Sequence, residues 1–394
     1  MPHRRDFLSS LPLTAAAALS AAPSPIRPGA SRHDLPTPAL IVELDIMEAN
    51  ILKMVSHVKA AGRALRPHAK THKCPEIAKR LIQAGAVGAC AAKISEAVAL
   101  SDGGVGGLLI TGAIIGKAKI NQALDLCAKR PETILCVDDA ANAAELNSAA
   151  EARGLRLNVA IDLWVGRRTG IQPGEPALAL AQYLDSRCKR LKFAGLQAYA
   201  GHAAHTKGFG ERKKVSLEAM SGAIETRRRI EQAGIPCRWV SGGSTGTYNI
   251  DTAIDGLTEL QPGSFLFMDI DYQRIGGLQN NSVYDDFAPS LFVVATVVSR
   301  PTSDLAIVDA GFKAFATDRG YGAVARGNEA LTYRFAGDEH GALELKGNTV
   351  KLGQRLEFLV PHCDPTVNLY DTLYAVRGER VEGVWPIAAR GKSQ

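Results

Sequence analysis

From residue 39 onward, short apolar runs alternate with amphipathic stretches. ALIVEL (39–44) predicts a strand. IMEANILKMVSHVKAAG (46–62) carries apolar residues at helical spacing and stops at glycine, a common helix end. RALRPHAK (63–70) predicts the next strand, and CPEIAKRLIQAG (74–85) a helix with Pro near its start. Strand patterns then recur at 87–93, 107–114, 133–139, 155–165, 191–201 and 238–244. Helical patterns separate them, the last a long charged one at about 210–234. Strands alternating with helices imply parallel βαβ units.

About eight such units in the first two thirds of the chain fit a TIM-type (β/α)8 barrel better than an open doubly wound sheet. No GxGxxG follows the first strand, which argues against a dinucleotide fold. After about residue 285 the texture changes. SLFVVATVVSRP, LAIVDAG, TVKLGQRLEFLVP and LYDTLYAVRGERVEGVWPI are β-branched and aromatic runs broken by Gly and Pro. They predict a C-terminal all-β domain. GGLQNNSVYDD (276–286) reads as the linker. The expected division is a leader over 1–32, an α/β barrel over 33–280 and a β-domain over 281–394.

The leader is read from MPHRRDFLSSLPLTAAAALSAAPSP. Arg4 and Arg5 precede Asp6-Phe7-Leu8 and an Ala-rich, weakly apolar stretch. This resembles a bacterial twin-arginine signal, which exports folded, cofactor-loaded proteins, so a periplasmic location is expected. A disordered basic leader is the plain alternative. No later run is long enough to span a bilayer.

Composition narrows the class further. The chain has 394 residues, 46% hydrophobic and 22% charged, which is ordinary for a soluble enzyme. A net charge of +6 is mild, and no basic tract with interleaved aromatics suggests nucleic acid. The seven cysteines are odd in number, contain no CxxC, and mostly sit in apolar runs. Buried thiols are expected, with no disulfide framework.

Candidate chemistry gathers at strand ends. RPHAKTHK (66–73) places Lys70 directly after a strand, near Arg66, His68, His72 and Lys73. Nearby cations would lower its pKa and favour the neutral amine that attacks an aldehyde. VSGGSTGTY (240–248) clusters Gly and Ser so that backbone N–H groups can converge on an anion. IDLWVGRRTG (161–170) brings Arg167 and Arg168, and AGLQAYAGH (194–202) brings Gln197, Tyr199 and His202. In VPHCDPTVNLYD (360–371), His362 and Asp364 are two apart. On an extended strand they share one face and form half of a metal site, while Cys363 packs behind. The alternatives are a solvated basic turn, a flexible Gly-rich loop and a metal-free His–Asp pair.

Taken together, RPHAKTHK, RTG, QAYAGH, SGGSTGTY, LQPGSFLFMDIDY and PHCDPTVNLYD resemble the D-threonine aldolase / D-serine dehydratase-like family. These are fold-type III pyridoxal-phosphate (PLP) enzymes related to alanine racemase. The resemblance spans about residues 34–390. It implies a PLP barrel, a C-terminal β-domain and a homodimer. By motif it implies Lys70 as the lysine that carries PLP. His68, Arg168, Gln197 and Tyr199 would line the cofactor pocket, and Gly242, Gly243, Ser244 and Thr245 would form the phosphate cup. Lys70, His362, Arg168 and Tyr199 would carry the chemistry, and His362 and Asp364 would bind a divalent metal. Dehydratase members place Cys where this chain has Asp364. A carboxylate suits Mn²⁺ or Mg²⁺ better than Zn²⁺. That moves the expectation toward retro-aldol cleavage of a D-3-hydroxy-amino acid to glycine and an aldehyde. Dehydration of D-serine or 3-hydroxyaspartate and cleavage of 3-hydroxy-D-aspartate are the alternatives. Amino-acid racemisation and a non-enzymatic PLP carrier fit less well, since neither needs His362 and Asp364. A β-carboxylate on the substrate would call for an extra cation, for which Arg319, Lys313 and His202 are the candidates.

Overall fold

The computed structural model describes residues 26–394. The twin-arginine motif lies outside them. Eight short parallel strands form one curled sheet in the order Ala64–Leu65, Glu259–Leu260, Val240–Gly242, Leu191–Ala198, Leu157–Asp162, Ile134–Val137, Leu108–Ile110, Ala89–Ala91. The two ends of that order meet through a parallel bridge between His68 and Cys90, backed by hydrogen bonds from Ala69 N–H to Cys90 O (2.8 Å) and Cys90 N–H to Pro67 O (2.9 Å). The result is a curled parallel barrel with helices outside, as the alternating pattern predicts.

The second sheet has nine strands, in the order Thr332–Phe335, Gly341–Glu344, Leu305–Val308, Leu291–Thr302, Ala39–Glu43, Thr372–Arg377, Arg380–Pro386. Arg355–Leu359 pairs with Leu291–Thr302, and Val324–Ala325 pairs in turn with Arg355–Leu359. Most pairings are antiparallel. The exception is Ala39–Glu43, which runs antiparallel to Leu291–Thr302 and parallel to Thr372–Arg377.

Ala39–Glu43 is therefore a strand of the C-terminal sheet, where the sequence places it in the barrel. The reason is physical. Leu40 and Val42 face the main core, while Ala39 and Ile41 face a second core with Phe292, Val294 and Val376. A strand apolar on both faces reads the same in any buried sheet. The barrel's missing strand is Glu259–Leu260. Two residues, one a carboxylate, give no strand period. Glu259 is tolerated inside because Arg66 pairs with it at 2.9 Å and the Ser241 hydroxyl donates to it at 2.7 Å.

Residues 27–32, assigned to the leader, also join this sheet. Gly29 N–H donates to Val381 O at 2.8 Å, and Arg32 pairs with Glu43 at 2.9 Å. All seven cysteines are buried and unpaired. No helix among the described residues is long and apolar enough to cross a membrane.

Candidate active site

The C-terminal ends of the barrel strands open into a cavity of about 230 Å³. It is lined from the barrel by Lys70, Arg168, Tyr199, His202, Ser244 and Thr245. The second domain closes it with Arg319, His362 and Asp364. A smaller lobe of about 100 Å³ adjoins it, walled by His68, Lys70, Asp162, Arg168, Gln197 and Tyr199. A larger cavity of about 470 Å³ lies elsewhere, between helices Ile94–Asp102 and Lys117–Lys129. It gathers no comparable set of reactive groups, so chemistry is assigned to the barrel mouth.

The basic segment 66–73 is divided by the fold. Arg66 is bound to Glu259, Lys73 is paired with Glu96, and His72 is buried with its pKa pushed down to about 3 by desolvation. Of its basic residues only His68 and Lys70 line the cavity, with Thr71 beside them. Lys70 lies in the turn after the bridge residue His68, and its N–H donates to His68 Nδ1 at 3.3 Å. Its ammonium stands 5.4 Å from the centroid of the Tyr199 ring. Tyr199 foremost and then Asp364 raise the Lys70 pKa, outweighing burial and Arg168, which lower it. This reverses the expectation that neighbouring cations would lower it. Two of the expected cations, Arg66 and Lys73, are paired with Glu259 and Glu96. Burial together with Lys70 and Arg168 drives His68 well below its ordinary range, so it is neutral.

Arg168 lies 5.1 Å from the same Tyr199 ring. The ring sits close to the chain. A Cβ at Gly201 would meet Tyr199 Cε1 at 2.9 Å, so the QAYAGH glycine makes room for it. Gln197 is fully inside and exchanges hydrogen bonds with Gln261, which also donates to Ser241 Oγ at 2.7 Å. Asp162, which sequence reading passed over, joins this wall. Burial raises its pKa to about 7, against a 2.8 Å hydrogen bond from Thr169.

The cup segment is tightly built. A Cβ at Gly242 would stand 2.1 Å from Ala198 O, and Gly243 has φ +74°. Ser244 and Thr245 are buried, and Ser244 Oγ lies 2.9 Å from Thr247 Oγ1. Asp251, buried behind the cup, accepts the hydroxyls of Ser216 and Thr247.

The PHCDP segment departs from expectation. It is the start of a short helix, Cys363–Val367, with His362 as its N-cap residue. Pro365 favours a first helical turn, because its fixed φ suits the helix and its missing N–H would be unpaired there anyway. His362 and Asp364 therefore do not share a strand face. They still reach one cavity, because the turn is docked against the barrel. Asp269 Oδ2 accepts Cys363 N–H at 2.8 Å, Ile270 N–H donates to Val360 O at 3.1 Å, and Asp271 N–H donates to Pro361 O at 3.2 Å. Cys363 is wholly buried, as read.

The donor set fits half a metal site. His362 Nδ1 lies 2.8 Å from Asp318 Oδ2, which leaves Nε2 as the ring's free nitrogen. A carboxylate on the far nitrogen is the usual support for a metal-ligating imidazole. Desolvation opposes ionisation of Asp364, but Lys70 and His362 outweigh it and hold the carboxyl below its ordinary pKa. No group of three His, Cys, Asp or Glu side chains among the described residues forms a closed cage. Two protein ligands with open positions suit a hard, hydrated cation.

Of the candidate cations for a β-carboxylate, Lys313 is 67% exposed and paired with Glu339 outside the cavity. Arg319 and His202 line the cavity. Arg319 is committed to Asp271 at 3.0 Å and faces Asp318 at 3.5 Å.

A family model described as "Alanine racemase, N-terminal domain" matches residues 42–271, and a serine dehydratase domain model matches residues 290–376. The chain is 38% identical to a D-threonine aldolase of Arthrobacter sp, over 95% of this chain and 98% of that one. It is 36% identical to a 3-hydroxy-D-aspartate aldolase of Paracoccus denitrificans, over 93% and 95%. The crystal structure of D-threonine aldolase from Filomicrobium marinum superposes with a TM-score of 0.89 at 36% identity, over 94% of this chain and 100% of that one.

Proposed function

The chain belongs to the D-threonine aldolase / D-serine dehydratase-like family of alanine racemase-fold enzymes, and from that premise we propose that it is a PLP- and divalent-metal-dependent lyase that cleaves D-3-hydroxy-amino acids to glycine and an aldehyde. One observation carries the reading. A barrel-mouth lysine and a His–Asp pair from the second domain open onto one cavity.

Lys70 would hold PLP, with Gly242, Gly243, Ser244 and Thr245 around its phosphate and His68, Arg168, Gln197 and Tyr199 around its ring. PLP supplies an electron sink for the Cα–Cβ bond that breaks. His362 and Asp364 would hold Mn²⁺ or Mg²⁺, which supplies acidity to the substrate hydroxyl.

The residues themselves divide the work. Asp318 holds the His362 ring by Nδ1, so Nε2 has one lone pair to offer. That lone pair serves either as a ligand or as the acceptor of the hydroxyl proton, and not as both at once. His68, neutral beside Lys70, adds no charge against the lysine amine. The second domain covers the mouth and limits water, which strengthens the interactions inside.

Dehydration to a 2-oxo acid and ammonia uses the same parts. Asp364, where dehydratase members carry Cys, favours the aldolase. A homodimer belongs to the same proposal and rests on the family resemblance; light scattering on the purified protein tests it. The deciding assay supplies D-threonine and 3-hydroxy-D-aspartate, with and without Mn²⁺. Glycine supports the aldolase, and ammonia without glycine overturns it.

A further inference from the structure

The two largest wholly buried side chains among the described residues are Arg212 and Tyr284, and both grip the back of the Ser244–Thr247 turn. Arg212, on helix Phe209–Gln232, donates to four carbonyls. They are Gly246 O (2.7 Å), Gly276 O (2.7 Å), Thr206 O (2.9 Å) and Ile275 O (3.1 Å). Tyr284 Oη donates to Thr245 O at 2.6 Å, and the Arg212 guanidinium lies 5.6 Å from the Tyr284 ring centroid.

Two consecutive carbonyls, those of Thr245 and Gly246, are thus pulled to one side. In a trans peptide the C=O and N–H point in opposite directions. Drawing back the Thr245 carbonyl turns the Gly246 N–H the other way. Drawing back the Gly246 carbonyl does the same for Thr247 N–H, which closes the turn on Ser244 O at 3.3 Å. The N–H groups of Thr245 and Gly246 have no acceptor among the described residues, although both residues are buried. Buried backbone donors are seldom left unpaired, so these two are placed for an acceptor that binds. Glycine at 246 is required by close approach, since a Cβ there would stand 2.1 Å from Ala204 O.

Charge points the same way. Among the described residues no carboxylate forms an ion pair with Arg212: its guanidinium is hydrogen-bonded to carbonyls and packed against the Phe209 and Tyr284 rings, and Asp286 acts on it only at longer range. A buried cation without an ion-pair partner is costly. An anion on the opposite side of the 245–246 peptides would supply a counter-charge through one peptide layer.

We propose that Arg212 and Tyr284 are positioning residues of the phosphate cup. They fix the peptide planes that present its N–H groups, and Arg212 balances the bound phosphate's charge from behind. This rests on the PLP reading above. It also explains why one side chain is tied to Thr206 and to Ile275–Gly276. The first segment follows His202 and His205, and the second follows Tyr272, all of which line the mouth cavity.

The test compares PLP with pyridoxal, which lacks only the phosphate. Apoprotein is titrated with each, and the absorbance of the lysine-bound species is followed. Wild type should prefer PLP strongly. Tyr284→Phe and Arg212→Lys should each raise the dissociation constant for PLP by about tenfold, the scale of one lost or weakened hydrogen bond. Their affinity for pyridoxal should stay at the wild-type value. Inorganic phosphate should raise the melting temperature of wild-type apoprotein more than that of either variant. Equal losses for PLP and pyridoxal, or an unchanged preference, would reduce both residues to packing and overturn the proposal. Wild type that forms no lysine adduct with either compound would overturn the PLP reading itself, and this proposal with it. Tyr284→Phe removes one oxygen from a conserved ring volume, so the test survives if the arginine variant folds poorly.

Discussion

The carboxylate of Asp269, at the barrel's end, accepts the backbone N–H of Cys363, in the second domain, at 2.8 Å. Its other oxygen accepts Tyr272 N–H, also at 2.8 Å, and it is wholly buried. Asp269 thereby sets where His362 and Asp364 stand relative to Lys70. Asp269→Ala leaves two buried N–H groups without acceptors, which should destabilise the fold by about 1–3 kcal/mol for each. Asp269→Asn keeps one acceptor. It should fold, retain the lysine-bound PLP band, and lose turnover, because the PHCDP turn shifts. An Asn variant with wild-type kcat would detach that turn from the chemistry.

Lys70→Ala should abolish covalent PLP binding. Borohydride reduction followed by mass spectrometry should find an adduct on wild type at Lys70 and none on the variant. A reduced adduct elsewhere in the variant would mean the wrong lysine has been assigned.

Chelation should remove turnover while leaving the PLP band in place, since His362 and Asp364 come from the second domain and Lys70 from the barrel. His362→Ala should cost roughly 10²–10⁴ in rate, the scale of a lost acid–base or ligand group. Asp364→Ala should cost less. Asp364→Cys should shift metal preference from Mn²⁺ toward Zn²⁺, because thiolate is the softer ligand. Glycine formation is titrated against each metal. Full activity in EDTA-treated protein that is metal-free by elemental analysis would make PHCDP a structural motif.

Burial raises the Asp162 carboxyl from 3.8 to about 7. A folded pKa above the unfolded one means stability that is full below pH about 4 and falls as pH rises to about 7. Apoprotein should therefore lose up to a few kcal/mol across that window from this group. Asp162→Asn should flatten the slope and gain stability at pH 8 relative to wild type. Denaturant midpoints at pH 5 and pH 8 measure it, and an identical slope in both proteins would refute it.

Export is the last expectation. Replacing Arg4 and Arg5 together by Lys should retain the protein in the cytoplasm of a bacterial host, as followed by cell fractionation. Unchanged periplasmic delivery would show that RRDFL is not read by the twin-arginine route.

The alternation of short strands and amphipathic helices determined the barrel by itself, because the helical and strand periods are local properties of the chain. The Gly-rich turn and the Lys, Arg and Tyr near strand ends were legible for the same reason: each lies within a few residues of the end of its strand. Partnership was not legible. Ala39–Glu43 went to the second sheet because a doubly apolar strand carries no mark of its neighbours, and Glu259–Leu260 was too short to show a period. Of the cations in RPHAKTHK, only tertiary packing decided which were neutralised, since Glu259 and Glu96 are distant in sequence from Arg66 and are called in by the fold. Tyr199 and Asp364, also brought in by the fold, reversed the direction of the Lys70 shift. His362 and Asp364 reached the cavity on a helical turn held by Asp269, where the sequence suggested a shared strand face. Residue types and their local spacing state which chemistry is available. Distances between segments far apart in the chain, and hence charge balance and metal geometry, exist only once the two domains have closed over one mouth.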